Sequence, residues 1–302
     1  MSLTFNRTVL MSGVDYFDDG QAINPFMNAQ IAVNRTIAKE EHQRIKAALQ
    51  KAGVRVVQVP APEDSQDGVY TANWALVRGN KAVMARLPDA RRAEEAYAAQ
   101  VLKDLGKEII YVPEGLRFSG QGDALPCGDL LFCGNGYRAD LAAQEFAAET
   151  LGFHRIQLQT IPLRSFFGHQ NARFGRPVRN RASGWPDSFY YDIDLALAVL
   201  KWPTENTRAL IAYCPAAFTR RSREVLRALD EIDKIEVPEV EARTAFACNL
   251  VSTGTHVLMN AAAIQLAAAV KAHGLKPVLL ENPELGKGGG SIRCTTLTLD
   301  NQ

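Results

Sequence analysis

Apolar positions along this chain switch repeatedly between two periods. Short runs such as Val54-Arg55-Val56-Val57-Gln58-Val59 and Ile109-Ile110-Tyr111-Val112 have the length and β-branched content of strands. Between such runs lie longer stretches with helical spacing. Residues 30–52 set Ile31, Val33, Ile37, Ile45 and Leu49 on one side of a helix, and residues 89–105 read as a second one. A strand at 7–11, the first helix and a strand closed by Pro60 open the chain. Gly68 to Val77 and Lys81 to Met84 then form a strand pair about the Gly79-Asn80 turn, followed by the second helix and the strand at 109–112. Ala124 to Cys133 reads as a hairpin turning at Cys127-Gly128-Asp129, ahead of a helix at 140–151 and a strand at 155–160.

The second half repeats the unit. A strand lies within Asp192 to Leu200, another at Arg208 to Tyr213, a helix at 219–230 and a strand at 235–237. Phe246 to Met259, a helix at 260–273 and a strand at Lys276 to Leu280 complete the series. Paired strands followed by a helix and a third strand make ββαβ modules rather than the strict βαβ alternation of a doubly wound sheet. Repetition of such modules predicts an α/β fold arranged about an axis. No linker, low-complexity tract or composition shift divides it, so residues 1–302 are expected to form a single domain. Residues 161–188 alone lack a clear period and carry five arginines and His169. They read as an irregular loop insertion, either functional, a solvated surface or an oligomer contact.

Composition narrows the function classes. With 47% hydrophobic residues and a formal net charge of +1, the chain can bury a large core. It shows no global basic footprint for nucleic acid or an anionic membrane. No apolar stretch is long enough to span a bilayer, and Met1 to Arg7 lack a secretory pattern. Five cysteines (127, 133, 214, 248, 294) are odd in number and without CxxC spacing, which argues against a disulfide framework or a cysteine zinc site. These features predict a cytoplasmic protein with reduced thiols. The five histidines are dispersed, and Gly286-Lys287-Gly288-Gly289-Gly290-Ser291 has the wrong order for a phosphate cradle. The expectation is no metal, no cofactor, no nucleic-acid or membrane partner, and a small-molecule substrate; a homo-oligomer is left open.

Candidate chemistry starts at that glycine run. Cys294 follows three glycines that let backbone pass close to a ligand. It is either a nucleophile delivered into a cavity or a small buried hydrophobe at the start of the strand Cys294 to Leu299. Four polar clusters also sit at strand ends: Ile23-Asn24-Pro25-Phe26-Met27, Tyr70-Thr71-Ala72-Asn73-Trp74, Phe118-Ser119-Gly120-Gln121-Gly122-Asp123-Ala124 and Tyr191-Asp192-Ile193-Asp194. Asp192 and Asp194, two apart on a strand, share one face. Such a pair suits a guanidinium, an amine or a metal, or is simply two solvated carboxylates.

In this order, and with Met11 to Phe17, Phe246 to Asn249 and the glycine-led Cys294, the clusters resemble the guanidino-group modifying enzymes. The nearest resemblance is to the arginine dihydrolase, amidinotransferase-like and dimethylarginine hydrolase branch. It covers the chain except for residues 161–188. The resemblance implies a five-bladed α/β propeller of ββαβ modules with a central active-site cavity. It makes Cys294 the nucleophile that attacks the guanidinium carbon and holds a covalent amidino-thioether. Asp194 matches the guanidinium-binding carboxylate, and Asn73 stands where deiminases carry a second aspartate. Arg92 and Arg138 match clamps for the substrate carboxylate, Asn24 lines the same end, and Asp123 reads as a structural aspartate of the motif.

Two positions depart from the pattern. Asp192 stands where the family has its general acid/base histidine, and Ser119 stands where it has a glutamate. Asp192 then takes on proton chemistry, or His169 enters from the long loop. The expected activity is a cysteine-dependent hydrolase of the guanidino C–N bond of arginine or a derivative. The alternatives are an amidinotransferase, or a lapsed member that binds a cationic ligand or a protein partner. A metal enzyme built on Asp192, Asp194 and Asp123 is a further alternative.

Overall fold

The computed structural model describes residues 4–28, 30–166, 169–170 and 175–302. The first module is β1 (Thr8–Met11), α1 (Arg35–Lys51) and β2 (Arg55–Gln58). The second is β3 (Ala75–Arg78), β4 (Lys81–Met84), α2 (Ala93–Asp104) and β5 (Glu108–Tyr111). The third is β6 (Ala124–Cys127), β7 (Leu130–Cys133), α3 (Leu141–Leu151) and β8 (His154–Gln157). A small sheet of β9 (Arg164–Phe166), β10 (His169–Gln170) and β11 (Arg176–Pro177) then intervenes. The fourth module is β12 (Leu197–Lys201), β13 (Ala209–Tyr213), α4 (Arg220–Ala228) and β14 (Ile232–Glu236), followed by α5 (Glu239–Thr244). The fifth is β15 (Val251–Ser252), β16 (His256–Asn260), α6 (Ile264–Ala272) and β17 (Lys276–Leu280). The chain then runs through α7 (Pro283–Lys287) to β18 (Leu297–Thr298).

Each of modules two to five pairs its first two strands antiparallel and its last two parallel. Local chemistry sets the hairpins. Arg78 opposes Lys81 across Gly79-Asn80, and Gly79 takes φ +56°, as a two-residue hairpin turn requires. The first module lacks an antiparallel strand of its own, and β18 supplies it by pairing with β1. The five sheets then meet as a ring. β18 packs on the 71–73 turn, β3 on the 120–122 turn, β6 on β12, β12 on β15, and α1 on β16. This is the five-bladed α/β propeller of ββαβ modules.

Burial follows position in the blade. The inner strand β6 is buried along its whole length, whereas outer strands β2, β5 and β17 carry only intermediate and exposed residues. A strand covered on both faces cannot alternate apolar with polar, which is why the inner runs read as continuous. Among the described residues, no helix is long and apolar enough to cross a membrane.

Several sequence expectations shift. The first helix begins only at Arg35, where Asn34 caps it by accepting from the Ile37 N–H; Ile31 lies outside it and is 55% exposed. Residues 161–188 contain the β9–β11 sheet rather than irregular chain throughout. Asp192 and Asp194 are not on a strand. They bracket Ile193 at a 3-10 turn over Ile193–Leu195. Cys294 likewise precedes β18, within a turn spanning residues 292–295.

Candidate active site

In every blade, a short turn leads into the innermost strand, and each of these turns brings polar side chains to the hub. The turn at Thr71–Asn73 carries Asn73, and that at Gly120–Gly122 is flanked by Ser119 and Asp123. The turn at Ile193–Leu195 carries Asp194 with Asp192 before it. Residues 247–249 bring Asn249, and residues 292–295 bring Cys294. All seven of these side chains are buried. Turns, not strands, carry them because backbone leaving the ladder exposes the donors and acceptors needed to fix polar groups.

On one side of the hub stands the thiol. Cys294 is 2% exposed, and its Sγ lies 3.4 Å from Asp194 Oδ2. Asn249 Nδ2 donates to Sγ at 3.1 Å, while Asn249 Oδ1 accepts from the backbone N–H groups of Ser291 (2.9 Å) and Cys294 (3.1 Å). The Cys294 carbonyl accepts from the Ala72 N–H of the neighbouring blade at 3.1 Å. Asp194 is fully buried, and its Oδ1 has no hydrogen-bond partner. Burial first, then the charge of Asp192, pushes its carboxyl up, against the pull of the buried Arg293. Burial and the two aspartates push the Cys294 thiol well above the ordinary range, against the Asn249 donor.

Across the hub, Asp192 is held on both oxygens. Ser119 Oγ donates to Oδ1 at 2.7 Å and Asn73 Nδ2 to Oδ2 at 2.8 Å. Asn73 also reaches Ser119 Oγ and its carbonyl, at 2.9 and 3.2 Å. Its Oδ1 accepts from Arg91 Nη1 at 2.8 Å. Arg91 is 1% exposed and grips Glu94 with two 2.8 Å bonds, in the fork geometry that suits a carboxylate. Its Nη2 also serves the carbonyls of Asp67 and Tyr70, and Trp74 Nε1 donates to Glu94. Asp67 beside it keeps an unpartnered Oδ1, and burial pushes its carboxyl up to about 6. No room is left near these groups. A Cβ on Gly122 would lie 2.3 Å from Asn73 Nδ2 and 2.8 Å from Asp192 Oδ2.

The glycine run behaves as a tightly fitted elbow. Asn24 Nδ2 donates to the Gly288 carbonyl, Tyr191 Oη to that of Gly289, and Tyr70 Oη to that of Leu285. Gly289 has φ +90°, and a Cβ there would sit 2.5 Å from Asn24 Oδ1, so no other residue fits without displacing Asn24. Asn24 is therefore placed on the loop that carries the thiol. Arg138 arrives in the hub: its guanidinium stacks 3.9 Å over the Tyr191 ring, with Nη1 4.0 Å from Asp192. Asp123 accepts from the Ile193 N–H at 3.0 Å and shapes the turn that presents the two aspartates.

Arg92 is corrected by the structure. It is 71% exposed and pairs with Asp89 at the surface, while Arg91 is the arginine turned inward. Consecutive residues entering a helix point about 100° apart, so only one of the pair faces the hub. The signal was present as Arg91-x-x-Glu94, a spacing that lets two side chains meet on a helix. Asn249 was legible only as the last residue of the Phe246 to Asn249 motif. His42, His154, His256 and His273 all lie outside the hub contacts, and the His169 side chain falls outside the described ones. Among the described residues, no group of three or more His, Cys, Asp or Glu is arranged to hold a metal ion.

The sequence profile of eukaryotic N,N dimethylarginine dimethylhydrolases matches residues 17–165. The N(G),N(G)-dimethylarginine dimethylaminohydrolase of Mycobacterium tuberculosis is 31% identical over 296 residues, covering 97% of this chain and 86% of the relative. The chain belongs to the dimethylarginine dimethylaminohydrolase family. Within the wider guanidino-modifying enzymes, the family stands beside the arginine dihydrolases. The bifunctional arginine dihydrolase/ornithine cyclodeaminase AgrE of Nostoc is 28% identical over 98% of this chain, which spans only 38% of AgrE. The N-terminal domain of ArgZ, a cyanobacterial arginine dihydrolase solved with its product bound, superposes with a TM-score of 0.80 at 26% identity. That likeness covers 97% of both chains. These named relatives are hydrolases of guanidino compounds.

Proposed function

We propose that this chain hydrolyses a guanidino C–N bond of arginine or an arginine derivative, with Cys294 as nucleophile. One observation carries the reading. A buried thiol lies 3.4 Å from Asp194, whose second oxygen is buried without a partner. An orphaned carboxylate oxygen costs stability until a donor arrives, and a planar guanidinium supplies paired N–H donors. The cation also offsets the two aspartate charges that hold the thiol protonated, so substrate binding itself favours the thiolate.

The steps follow from the groups present. The Sγ proton passes to Asp194 Oδ2, and the sulfur forms a bond to the guanidinium carbon. The tetrahedral adduct expels ammonia or an amine, which takes the proton from Asp194, and an amidino-thioether remains. Asp194, ionised again, takes a proton from the water that adds to that carbon and passes it to the sulfur as the C–S bond breaks. The ureido product leaves, and the second water proton goes to the released ammonia or amine. Asp192 is committed to Ser119 and Asn73 on both oxygens, so Asp194 is the better placed proton carrier. Arg138, beside Tyr191, is the cation available for a substrate carboxylate. With an amine in place of water, the same thioether would give amidino transfer.

A second reading is favoured by the aspartate–serine pair at Asp192 and Ser119, where the family has histidine and glutamate. In it, the hub binds a cationic ligand without turning it over. Incubation with arginine, N-methylated arginines and agmatine, following ureido product, ammonia and released amine, separates the two. Intact-mass detection of a Cys294 adduct accompanies product formation under the first reading. No product and no adduct with any guanidine would sink it.

A further inference from the structure

The hub poses a problem of charge. Two aspartates face the thiol, the buried guanidinium of Arg293 acts on it through charge alone, and among the described side chains no histidine, lysine or arginine hydrogen-bonds to its sulfur. The side-chain donor directed at Sγ is the amide of Asn249, at 3.1 Å, beside the backbone N–H of Ser291. Its orientation is not free. Asn249 Oδ1 is occupied by the Ser291 and Cys294 N–H groups, and an amide has its oxygen on one side only. Rotating the amide would face Nδ2 against two N–H donors and Oδ1 against the sulfur. The Cys294 elbow thus fixes which end of Asn249 meets the thiol.

We propose that Asn249 is a catalytic residue whose Nδ2–H stabilises the Cys294 thiolate by hydrogen bonding directly to its sulfur. This deepens the hydrolase reading and rests on it for its catalytic meaning. A hydrogen bond to the charged form of an acid favours that form, and bonds to ionised acceptors are stronger than neutral ones. Such a bond also survives the first step. When the thiol proton moves to Asp194 Oδ2, Asn249 keeps its donor on the sulfur while the lone pair attacks carbon. In the amidino-thioether, the sulfur is a weaker acceptor, so the contact is strongest where negative charge is greatest.

Two variants distinguish this from a brace. Asn249→Asp keeps an acceptor oxygen for the Ser291 and Cys294 amides and replaces the donor with a second oxygen. Asn249→Ala removes both functions. The readout is the rate of iodoacetamide alkylation of the Cys294 peptide, by mass spectrometry, from about pH 6 to pH 11, in protein whose fold is checked by circular dichroism. Both variants are expected to move the alkylation curve to higher pH by about one unit, so that the rate at pH 8 falls about tenfold. An unmoved curve in both folded variants overturns the proposal. So does a change in Asn249→Ala alone, which would make Asn249 a brace of the elbow. Turnover of guanidines by the wild-type protein is measured in parallel. A shifted thiol curve without turnover upholds the role of Asn249 and rejects the hydrolase; turnover with an unmoved curve does the reverse.

Discussion

The two sides of the hub differ in how completely their polar groups are satisfied. Asp192, Ser119, Asn73, Arg91 and Glu94 form a connected set in which both Asp192 oxygens and the Asn73 oxygen have partners. The Cys294 side, by contrast, leaves Asp194 Oδ1 unpartnered and the thiol hard to ionise. Apart from Asp67 Oδ1 and Asp123 Oδ2, which are buried without partners, the Asp192 side is satisfied and resembles scaffold. The unsatisfied side has groups that gain only when a donor-rich cation enters. Catalytic hubs keep that asymmetry because a site that is already content has nothing to offer a substrate.

Removing the sulfur is the strongest challenge. Cys294→Ser should cut turnover of any guanidine substrate by about 10⁴-fold or more and abolish the covalent adduct, with the melting curve little changed. Product assays and intact mass on one sample would show it. Residual turnover near wild type would break the assignment of the reactive side.

The satisfied side should answer in stability instead. Arg91→Met strands Glu94 and Asn73 Oδ1 in the interior, and breaking a buried pair from one end costs about 3–5 kcal/mol. Adding Glu94→Gln removes the stranded charge and should restore much of that loss in urea titrations. A single variant as stable as wild type would show that this network is not scaffold.

Asp194→Asn sets the two sides directly against each other. The isosteric amide loses charge-assisted bonds to a guanidinium, worth about 1.5–3 kcal/mol, so affinity should fall by roughly 10- to 100-fold by calorimetry. The ligand-free protein should gain stability. Because burial raises the Asp194 carboxyl in the fold, the native state holds that proton more tightly than the unfolded chain does. Wild type therefore loses stability as pH rises from about 4 through the raised native value, and the amide does not. The melting difference should widen with pH in favour of Asp194→Asn, and Cys294 should alkylate faster. A variant less stable than wild type at neutral pH would contradict this sign.

Ser119→Ala is the mildest. Asp192 Oδ1 loses one donor but Oδ2 keeps Asn73, so the cost should be about 1 kcal/mol, seen as a small drop in melting temperature. A collapse of activity there would move Ser119 from scaffold to chemistry.

The propeller was largely legible in the sequence. Inner strands such as Ala124 to Cys127 and Ala209 to Tyr213 announce themselves as continuous apolar runs, because both faces are covered. The role of β18 was not, since a two-residue strand carries no period and its partner is β1, almost 300 positions away, with Val9 opposite Thr298. In the sequence, Asn24, Asn73, Ser119, Asp123, Arg138, Asp192, Asp194 and Cys294 are linked only by the resemblance of their motifs to those of the guanidino-modifying enzymes. What failed was direction. Arg91 and Arg92 are identical in type, and only the start of α2, with Glu94 one turn on, decides which of them turns inward. The two-residue spacing of Asp192 and Asp194 fits a strand, yet a 3-10 turn presents them just as well.

The pairing of β18 with β1 also bears on how the protein is made. Ribosomes deliver the residues of this hub in sequence, and Cys294 follows Asn24, Asn73, Ser119, Asp194 and Asn249 off the template. The thiol and the ring-closing strand are thus synthesised within a few residues of each other, Cys294 and then Leu297–Thr298. Until that segment reaches β1, the first blade lacks its antiparallel strand. Under the hydrolase reading, the nucleophile and the strand that closes the first blade are thus completed together.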